Sequence, residues 1–365
     1  MTAEADRRFM ALAIALGARG LGQVWPNPAV GAVIVQAGRI VGRGWTQPGG
    51  RPHAETQALA QAGAAATGAT AYVSLEPCAH HGQTPPCASA LIGAGVARVV
   101  SALEDPDPRV AGRGHAMLRA AGIAVDAGVL AAEARHMQRG FLNRIERGRP
   151  LLTLKLAQSL DGRIATASGE SRWITGDAAR RRVHLMRATH DAVLIGAGTA
   201  RADDPALTVR GFGPVRQPLR IVVSRGLDLP KDGALARTAR EVPLWLAHGS
   251  GVDATLRRGW ESIGARLIEL PERGAGLDPA ALSAALAGAG LTRVLCEGGG
   301  QLAAALLAAD LVDDLAVFSA GLALGADGRP GVGGLGFDRL ADAPRFSLLG
   351  SERIGPDALA IWTRT

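Results

Sequence analysis

Four side chains in one stretch have the types and spacing to carry out a hydrolysis: His53, Glu55, Cys78 and Cys87. One imidazole and two thiols form a ligand set suited to tetrahedral zinc, with the fourth position left to water. Glu55, two residues past the histidine, can reach that water without serving as a ligand. It can take a proton from the water and pass it to a leaving amine, which is the chemistry of hydrolytic deamination. Each thiol follows a proline, Pro77 or Pro86, and the residues from Cys87 onward read as a helix with proline in its first turn. Unpaired amides and the positive end of the helix dipole favour thiolate there, the form that binds metal. A plainer reading makes both cysteines small core residues and His53 a surface histidine, but it leaves the clustering of all four unexplained.

Composition sets the bounds. A chain of 365 residues is long for one compact domain, so two are expected. Hydrophobic residues at 47% and charged residues at 20% supply real cores and give no case for disorder. Three cysteines argue against a disulfide framework, and a reducing cytoplasm is the expected compartment. Arg7 and Arg8 before an apolar run superficially resemble a signal peptide. The run is short, Arg19 follows it, and Glu4 and Asp6 precede it, so an amphipathic first helix is expected. No stretch approaches the roughly 20 apolar residues of a membrane helix. The net charge is +7, but aromatics amount to only 4% with one tyrosine, little material for stacking bases. A small phosphorylated ligand is the more economical partner.

The chain must position these groups. Residues 29–35 and 39–45 read as strands around the turn Ala37-Gly38. Pro52 opens a helix bearing His53 and Glu55, and a strand over 70–75 delivers Cys78. The helix from Cys87, a strand over 97–103, a helix over 113–121 and a strand over 123–125 continue the alternation. Such a pattern gives a sheet covered by helices, with sites on the loops at strand ends. A helix over 131–145 runs into Arg147-Gly148-Arg149-Pro150, taken as a boundary, so the expected domains are 1–147 and 148–365. The pattern then restarts with a strand over 151–157, a helix over 177–189 and a buried strand over 192–195. Strands over 219–223, 243–247 and 266–270 follow among less regular segments. A strand over 293–296, a helix over 301–309 and three closing strands over 315–319, 346–353 and 358–362 complete an α/β chain without internal repeats.

In the second half, the glycines at 298–300 sit between a strand and a helix, where backbone amides can approach a phosphate. Residues 195–199 form a second glycine-bearing junction, read as strand to loop. Structural turns alone account for either one; two in one domain point to a cofactor with more than one phosphate. Residues 331–336 are also glycine-rich, but no apolar strand precedes them, and they are expected to form a surface loop. Lys155 lies inside an apolar strand, where a charge is costly, which favours a functional role. Ser224 follows another apolar strand and is a cofactor candidate. Arg187 and Arg210 could match phosphate oxygens in pairs, or form surface salt bridges instead.

On these residues the chain resembles known families. His53-x-Glu55 followed by Pro77-Cys78 resembles the cytidine-deaminase-like zinc family, except that eight residues separate the cysteines instead of two. The run from Glu76-Pro77-Cys78 to Thr84-Pro85-Pro86-Cys87, with Asn27-Pro28-Ala29-Val30-Gly31 upstream, is similar to the deaminase half of the bifunctional RibD family of riboflavin biosynthesis. His80 and His81 are left as loop or substrate-facing residues, the three-ligand site being already complete. Lys155, Ser159 to Arg163, Ser171-x-Trp173-Ile174-Thr175, Asp203 to Arg210 and Glu297-Gly298-Gly299 resemble the reductase half.

That resemblance implies two α/β domains: a cytidine-deaminase-like three-layer α/β/α domain, then a dihydrofolate-reductase-like domain. It implies one zinc and NADPH as cofactors, and a mixed sheet explains why no Rossmann fingerprint appears. It assigns cofactor contacts to Ala157, Trp173, Thr199, Asp203 and the loop Gly299, Gly300 and Gln301. Substrate contacts fall to Ser171, Arg187, Leu207, Arg210 and Glu297. The implied chemistry is deamination of a phosphoribosylamino-pyrimidine with Glu55 as proton shuttle, then hydride transfer to the opened ribose, with Lys155 and Asp203 as candidate proton carriers.

Two rival readings carry different expectations. A nucleic-acid base deaminase with a C-terminal binding domain needs a basic, aromatic-bearing groove, against which the scarcity of aromatics counts. A purely structural zinc in a binding module normally has four protein ligands, and three are evident here. The expected partners are a small phosphorylated pyrimidine and a second copy in a homo-oligomer, with no nucleic acid and no membrane.

Overall fold

Short apolar runs bounded by glycine or proline become strands, and segments with apolar residues three or four apart become helices. The structure, a computed structural model, describes residues 2–80, 85–108 and 111–365; His81 and Thr84 of the ligand stretch lie outside the described residues. The chain divides into two compact units, Met1–Gly148 and Arg149–Thr365.

The first unit runs α1 (Ala3–Gly17), β1 (Gly31–Gln36), β2 (Arg39–Trp45), α2 (Ala54–Ala62), β3 (Thr70–Val73), α3 (Cys87–Gly93), β4 (Arg98–Ser101), α4 (Arg113–Ala120), β5 (Ala124–Ala127) and α5 (Ala131–Arg147). The sheet order is β2-β1-β3-β4-β5. Strand β1 is antiparallel to both neighbours, and β3, β4 and β5 are parallel. Helix α1 is amphipathic as expected, burying Phe9, Met10, Ala13 and Leu16. Its Asp6 accepts from the Tyr72 hydroxyl at 2.6 Å and pairs with Arg98 at 2.8 Å, fastening the helix to β3 and β4.

Helix α2 lies directly on β2. A Cβ on Gly42 would come within 2.1 Å of the Ala58 carbonyl oxygen, and one on Gly44 within 2.2 Å of the Ala54 oxygen. That close approach, which only glycine permits, fixes the start of the helix that carries His53 and Glu55. The helix begins at Ala54, two residues later than Pro52 suggests, because His53 is its extended N-cap (φ −70°, ψ 162°).

The second unit runs β6 (Leu151–Ser159), β7 (Arg163–Ala165), α6 (Asp177–Ala188), β8 (Ala192–Gly196), α7 (Ala197–Asp203), β9 (Leu219–Val223), α8 (Ala234–Arg237), β10 (Leu244–His248), α9 (Ala254–Ser262) and β11 (Arg266–Glu269). There follow β12 (Glu272–Arg273), β13 (Gly276–Leu277), α10 (Pro279–Gly288), β14 (Arg293–Cys296), α11 (Gly300–Ala308), β15 (Asp314–Ala320), β16 (Arg329–Pro330), β17 (Phe346–Ile354) and β18 (Asp357–Arg364). Nine strands form a mixed sheet in the order β11-β10-β9-β8-β14-β6-β15-β18-β17. The first seven are parallel, and β18 is antiparallel to β15 and β17.

Residues 192–195 of β8 are fully buried, with Val193 and Ile195 packed among Val222, Leu246 and Trp260. A continuous apolar strand is what a parallel sheet covered on both faces requires. The segments expected to be less regular contain α9 and α10, whose N-termini are capped by the side chains of Asp253 and Asp278. The junction at 195–199 is strand to helix, because α7 starts at Ala197. Among the described residues, no helix is long and apolar enough to cross a membrane.

Candidate active sites

In the first unit, two helix starts and one strand end converge. His53 occupies the N-cap position of α2, Cys87 is the first residue of α3, and Cys78 follows β3. His53 Nδ1 lies 3.3 Å from Cys87 Sγ and 3.7 Å from Cys78 Sγ, and the three ligand atoms all lie within 4.8 Å of one another. Tetrahedral zinc with ordinary bond lengths places such atoms about 3.5 Å apart, so the residues fit the metal. His80 is half-buried, stands outside this cluster, and leaves Nδ1 without a hydrogen-bond partner.

The donors are charged to match a cation. The hydrogen bond from the Cys87 thiol pulls Cys78 down to about 4, helped by His53. The same contact, with burial, pushes the Cys87 thiol up, so the pair shares one proton that a divalent ion would displace. The backbone amide of Cys87 donates to Cys78 Sγ at 3.3 Å, a direct use of the free N-terminus of α3. Glu55 is 4% exposed, and burial followed by the Cys78 charge raises its carboxyl to about 7. A group poised there can both accept and return a proton near neutral pH.

The second unit holds a cavity of about 550 Å³, within the range of small-molecule sites. It lies toward the carboxyl ends of parallel strands, where α/β sheets place ligands. Of the residues singled out from sequence, Lys155, Ala157, Ser171, Trp173, Arg187, Thr199, Asp203, Leu207, Arg210, Glu297 and Gly299 line it. Gly298 and Gly299 adopt φ of 95° and 81°, which glycine tolerates and which turns the chain from β14 into α11. Ser224, Gly300 and Gln301 are not in the lining. Ser224 is buried and donates to Asp228 at 3.1 Å, Gly300 packs against the Pro330 carbonyl, and Gln301 is exposed.

Arg187 and Glu297 form a bidentate pair, Nε to Oε1 at 2.5 Å and Nη2 to Oε2 at 2.8 Å, while Arg187 Nη1 donates to the Thr208 carbonyl at 2.9 Å. The fork of Arg187 is thus taken up by protein, whereas Arg210 is exposed. Burial pushes Glu297 up, but the Arg187 charge outweighs it and holds the carboxyl below its ordinary range. Burial pushes Lys155 down against the opposing pull of Glu297.

Sequence reasoning missed His184 and Arg180. Both line the cavity, and both lie three or four residues from the next lining position on α6, a spacing that could have revealed them. The guanidinium of Arg180 sits 4.5 Å from the Trp173 ring centre. Gly331, expected in a surface loop, also lines the cavity because its amide is held by the Gly162 carbonyl.

A hydrolytic deaminase joined to a dinucleotide-dependent reductase is the class of protein these two units define. Residues 3–103 match the cytidine and deoxycytidylate deaminase zinc-binding region, and residues 150–360 match the RibD C-terminal domain. The chain is 44% identical over 373 residues to the riboflavin biosynthesis protein RibD of Escherichia coli K12, covering 96% of this chain and 97% of that protein. The structure of Acinetobacter baumannii RibD is similar with a TM-score of 0.89 at 38% identity, over the whole of both chains. A diaminohydroxyphosphoribosylaminopyrimidine deaminase/5-amino-6-(5-phosphoribosylamino)uracil reductase from Thermotoga maritima is similar with a TM-score of 0.86 at 32% identity, covering 100% of this chain and 99% of that one.

The chain belongs to the RibD family of riboflavin-biosynthesis proteins. It is a bifunctional enzyme, a deaminase and a reductase, with zinc and NADPH as cofactors. The dihydrofolate-reductase-like mixed sheet and the deaminase fold are as the resemblance implied, and the nucleic-acid deaminase reading is not favoured.

Proposed function

We propose that residues 1–147 release ammonia from diaminohydroxyphosphoribosylaminopyrimidine, and that residues 148–365 then reduce the ribosyl side chain of 5-amino-6-(5-phosphoribosylamino)uracil to the ribityl form. The observation that carries this reading is the convergence of His53, Cys78 and Cys87 beside the buried carboxyl of Glu55. His53, Cys78 and Cys87 hold the zinc. When bound, zinc supplies the Lewis acidity that makes a water nucleophilic near neutral pH. Glu55 takes the proton of the attacking water and returns it to the leaving amine, a transfer suited to its raised pKa.

In the second unit, Ala157, Trp173, Thr199, Asp203 and Gly299 contact NADPH, with Ser224, Gly300 and Gln301 around its periphery. NADPH supplies the hydride. Ser171, Leu207 and Arg210 hold the substrate together with Glu297, which Arg187 orients through their bidentate pair. Lys155, with its lowered pKa, is the group placed to exchange a proton as the ribose ring opens, and Asp203 is its nearest alternative. The substrate is a small phosphorylated pyrimidine and not a nucleic acid. Free thiols that must serve as ligands fit a cytoplasmic enzyme. Exposed Leu348 and Leu349 on β17 and Leu340 nearby in sequence fit a homo-oligomer.

A split assay on zinc-loaded enzyme tests the proposal. Ammonia release without NADPH, then NADPH oxidation that requires the deaminated product, is the expected result. Ammonia without any oxidation would reduce the second unit to a binding module. No ammonia at all would overturn the reading of the first.

A further inference from the structure

We propose that Glu76 is a positioning residue of the metal centre, pinning the Pro77-Cys78 segment so that the Cys78 sulfur stands where the metal needs it. This rests on the reading of Cys78 as a zinc ligand. The Glu76 side chain is 0% exposed and takes no part in the roles assigned above. Its carboxylate accepts three backbone amides: Oε2 from Asp105 at 3.1 Å and Gly112 at 2.9 Å, and Oε1 from His115 at 3.1 Å. Gly112 is the N-cap of α4 and His115 lies in its first turn, and the helix has no side-chain cap of its own. Glu76 therefore caps α4 from a distant segment, with its charge on the positive end of the dipole.

The packing leaves little freedom. A Cβ on Gly114 would lie 1.9 Å from the Pro77 carbonyl oxygen and 3.2 Å from Glu76 Cγ, so α4 abuts the backbone one residue before the ligand. His115 is itself held, its Nε2 2.8 Å from the Ser101 hydroxyl at the end of β4. A rigid chain runs from the central sheet through α4 and Glu76 to Cys78. Groups that orient metal ligands in this way typically change metal affinity by about 10- to 100-fold when altered.

Measurements on the full chain test the inference. In the wild type, amide hydrogen exchange at Asp105, Gly112 and His115 should quicken about tenfold on stripping zinc with a chelator, while amides of β8 stay unchanged. In Glu76→Gln loaded with zinc, release to the chelator should quicken by roughly 10- to 100-fold, and the visible bands of the cobalt-loaded protein should shift. Glu76→Asp, which keeps the charge, should fall between, and reduction of supplied deaminated substrate should be untouched in both. Wild-type zinc release with an unshifted cobalt spectrum in Glu76→Gln, or exchange at the three amides blind to zinc, overturns the role of Glu76. A wild type that holds no zinc, or a Cys78→Ser variant that holds it as tightly, overturns the ligand reading along with it.

Discussion

The two centres are built on opposite plans. The deaminase site draws its groups from residues 53 to 87, sets His53, Glu55 and Cys87 at helix starts and Cys78 beyond a strand end, and leaves two sulfurs and a buried carboxyl crowded together. The reductase cavity gathers residues from 155 to 331 and neutralises its buried charges internally, Glu297 against Arg187. A site that must attract a cation gathers two sulfurs and a carboxyl about a single imidazole. A site that binds an organic cofactor and substrate is pre-satisfied and offers shape. The contrast predicts that the two activities can be lost separately.

The sharpest break comes at Glu55. Glu55→Gln keeps the shape and removes the proton carrier, so ammonia release should fall by about a thousandfold or more. Zinc content and reduction of supplied deaminated substrate should be unchanged. Retention of deamination by a folded, zinc-loaded variant would remove the proton-shuttle role.

The corresponding break in the second unit is Arg187→Met, which strands the Glu297 carboxylate in a buried setting. Removing one partner of a buried pair costs about 3–5 kcal/mol. The melting transition of this unit and its reductase activity should both fall while ammonia release persists. Parallel loss of both activities would show that the centres are not independent.

How much of each centre could be read from sequence follows from the same contrast. The metal ligands were legible because each sits at a local signal, a proline before a thiol or a histidine before a glutamate. Lys155 was legible as a charge within an apolar strand. Gly331 was not, because it reaches the cavity through the pairing of two short strands, β16 with β7, that no local pattern encodes. His184 and Arg180 were within reach of helical spacing from Arg187. Helices α9 and α10 carried start signals in Asp253 and in Asp278-Pro279; α9 was also within reach of helical spacing through Leu256, Trp260 and Ile263, whereas α10 is too uniformly apolar to show a stripe.

Acid should weaken the second unit more gently. His190 in the second unit is buried between the Met186 carbonyl and the Thr153 hydroxyl, and burial with the nearby Arg293 charge lowers it to about 3. The unfolded chain takes up this proton below about 6.5 and the folded chain only near 3. Its stabilising contribution is therefore complete above pH 6.5 and declines as pH falls toward 3, by about 1.4 kcal/mol per unit. Asp191 beside it is raised by burial, an effect of opposite sign. The difference in melting between wild type and His190→Gln across pH 7 to 4 isolates the histidine, and a flat difference would contradict the assignment.

The smallest effect tests why the helix starts differ. In the second unit, Asp253 accepts the amides of Thr255 at 2.7 Å and Leu256 at 3.2 Å, closing the N-terminus of α9. In the first, α2 and α3 have no side-chain cap, and the first amide of α3 goes to the Cys78 sulfur instead. Asp253→Ala should thus lower the melting temperature of the second unit slightly and leave both activities intact. His53→Asp would supply α2 with an ordinary cap, yet it should abolish zinc binding and ammonia release, because that helix start is held open for the metal. If His53→Asp retained zinc while Asp253→Ala impaired catalysis, the division between helix ends that serve the fold and helix ends that serve the site would fail.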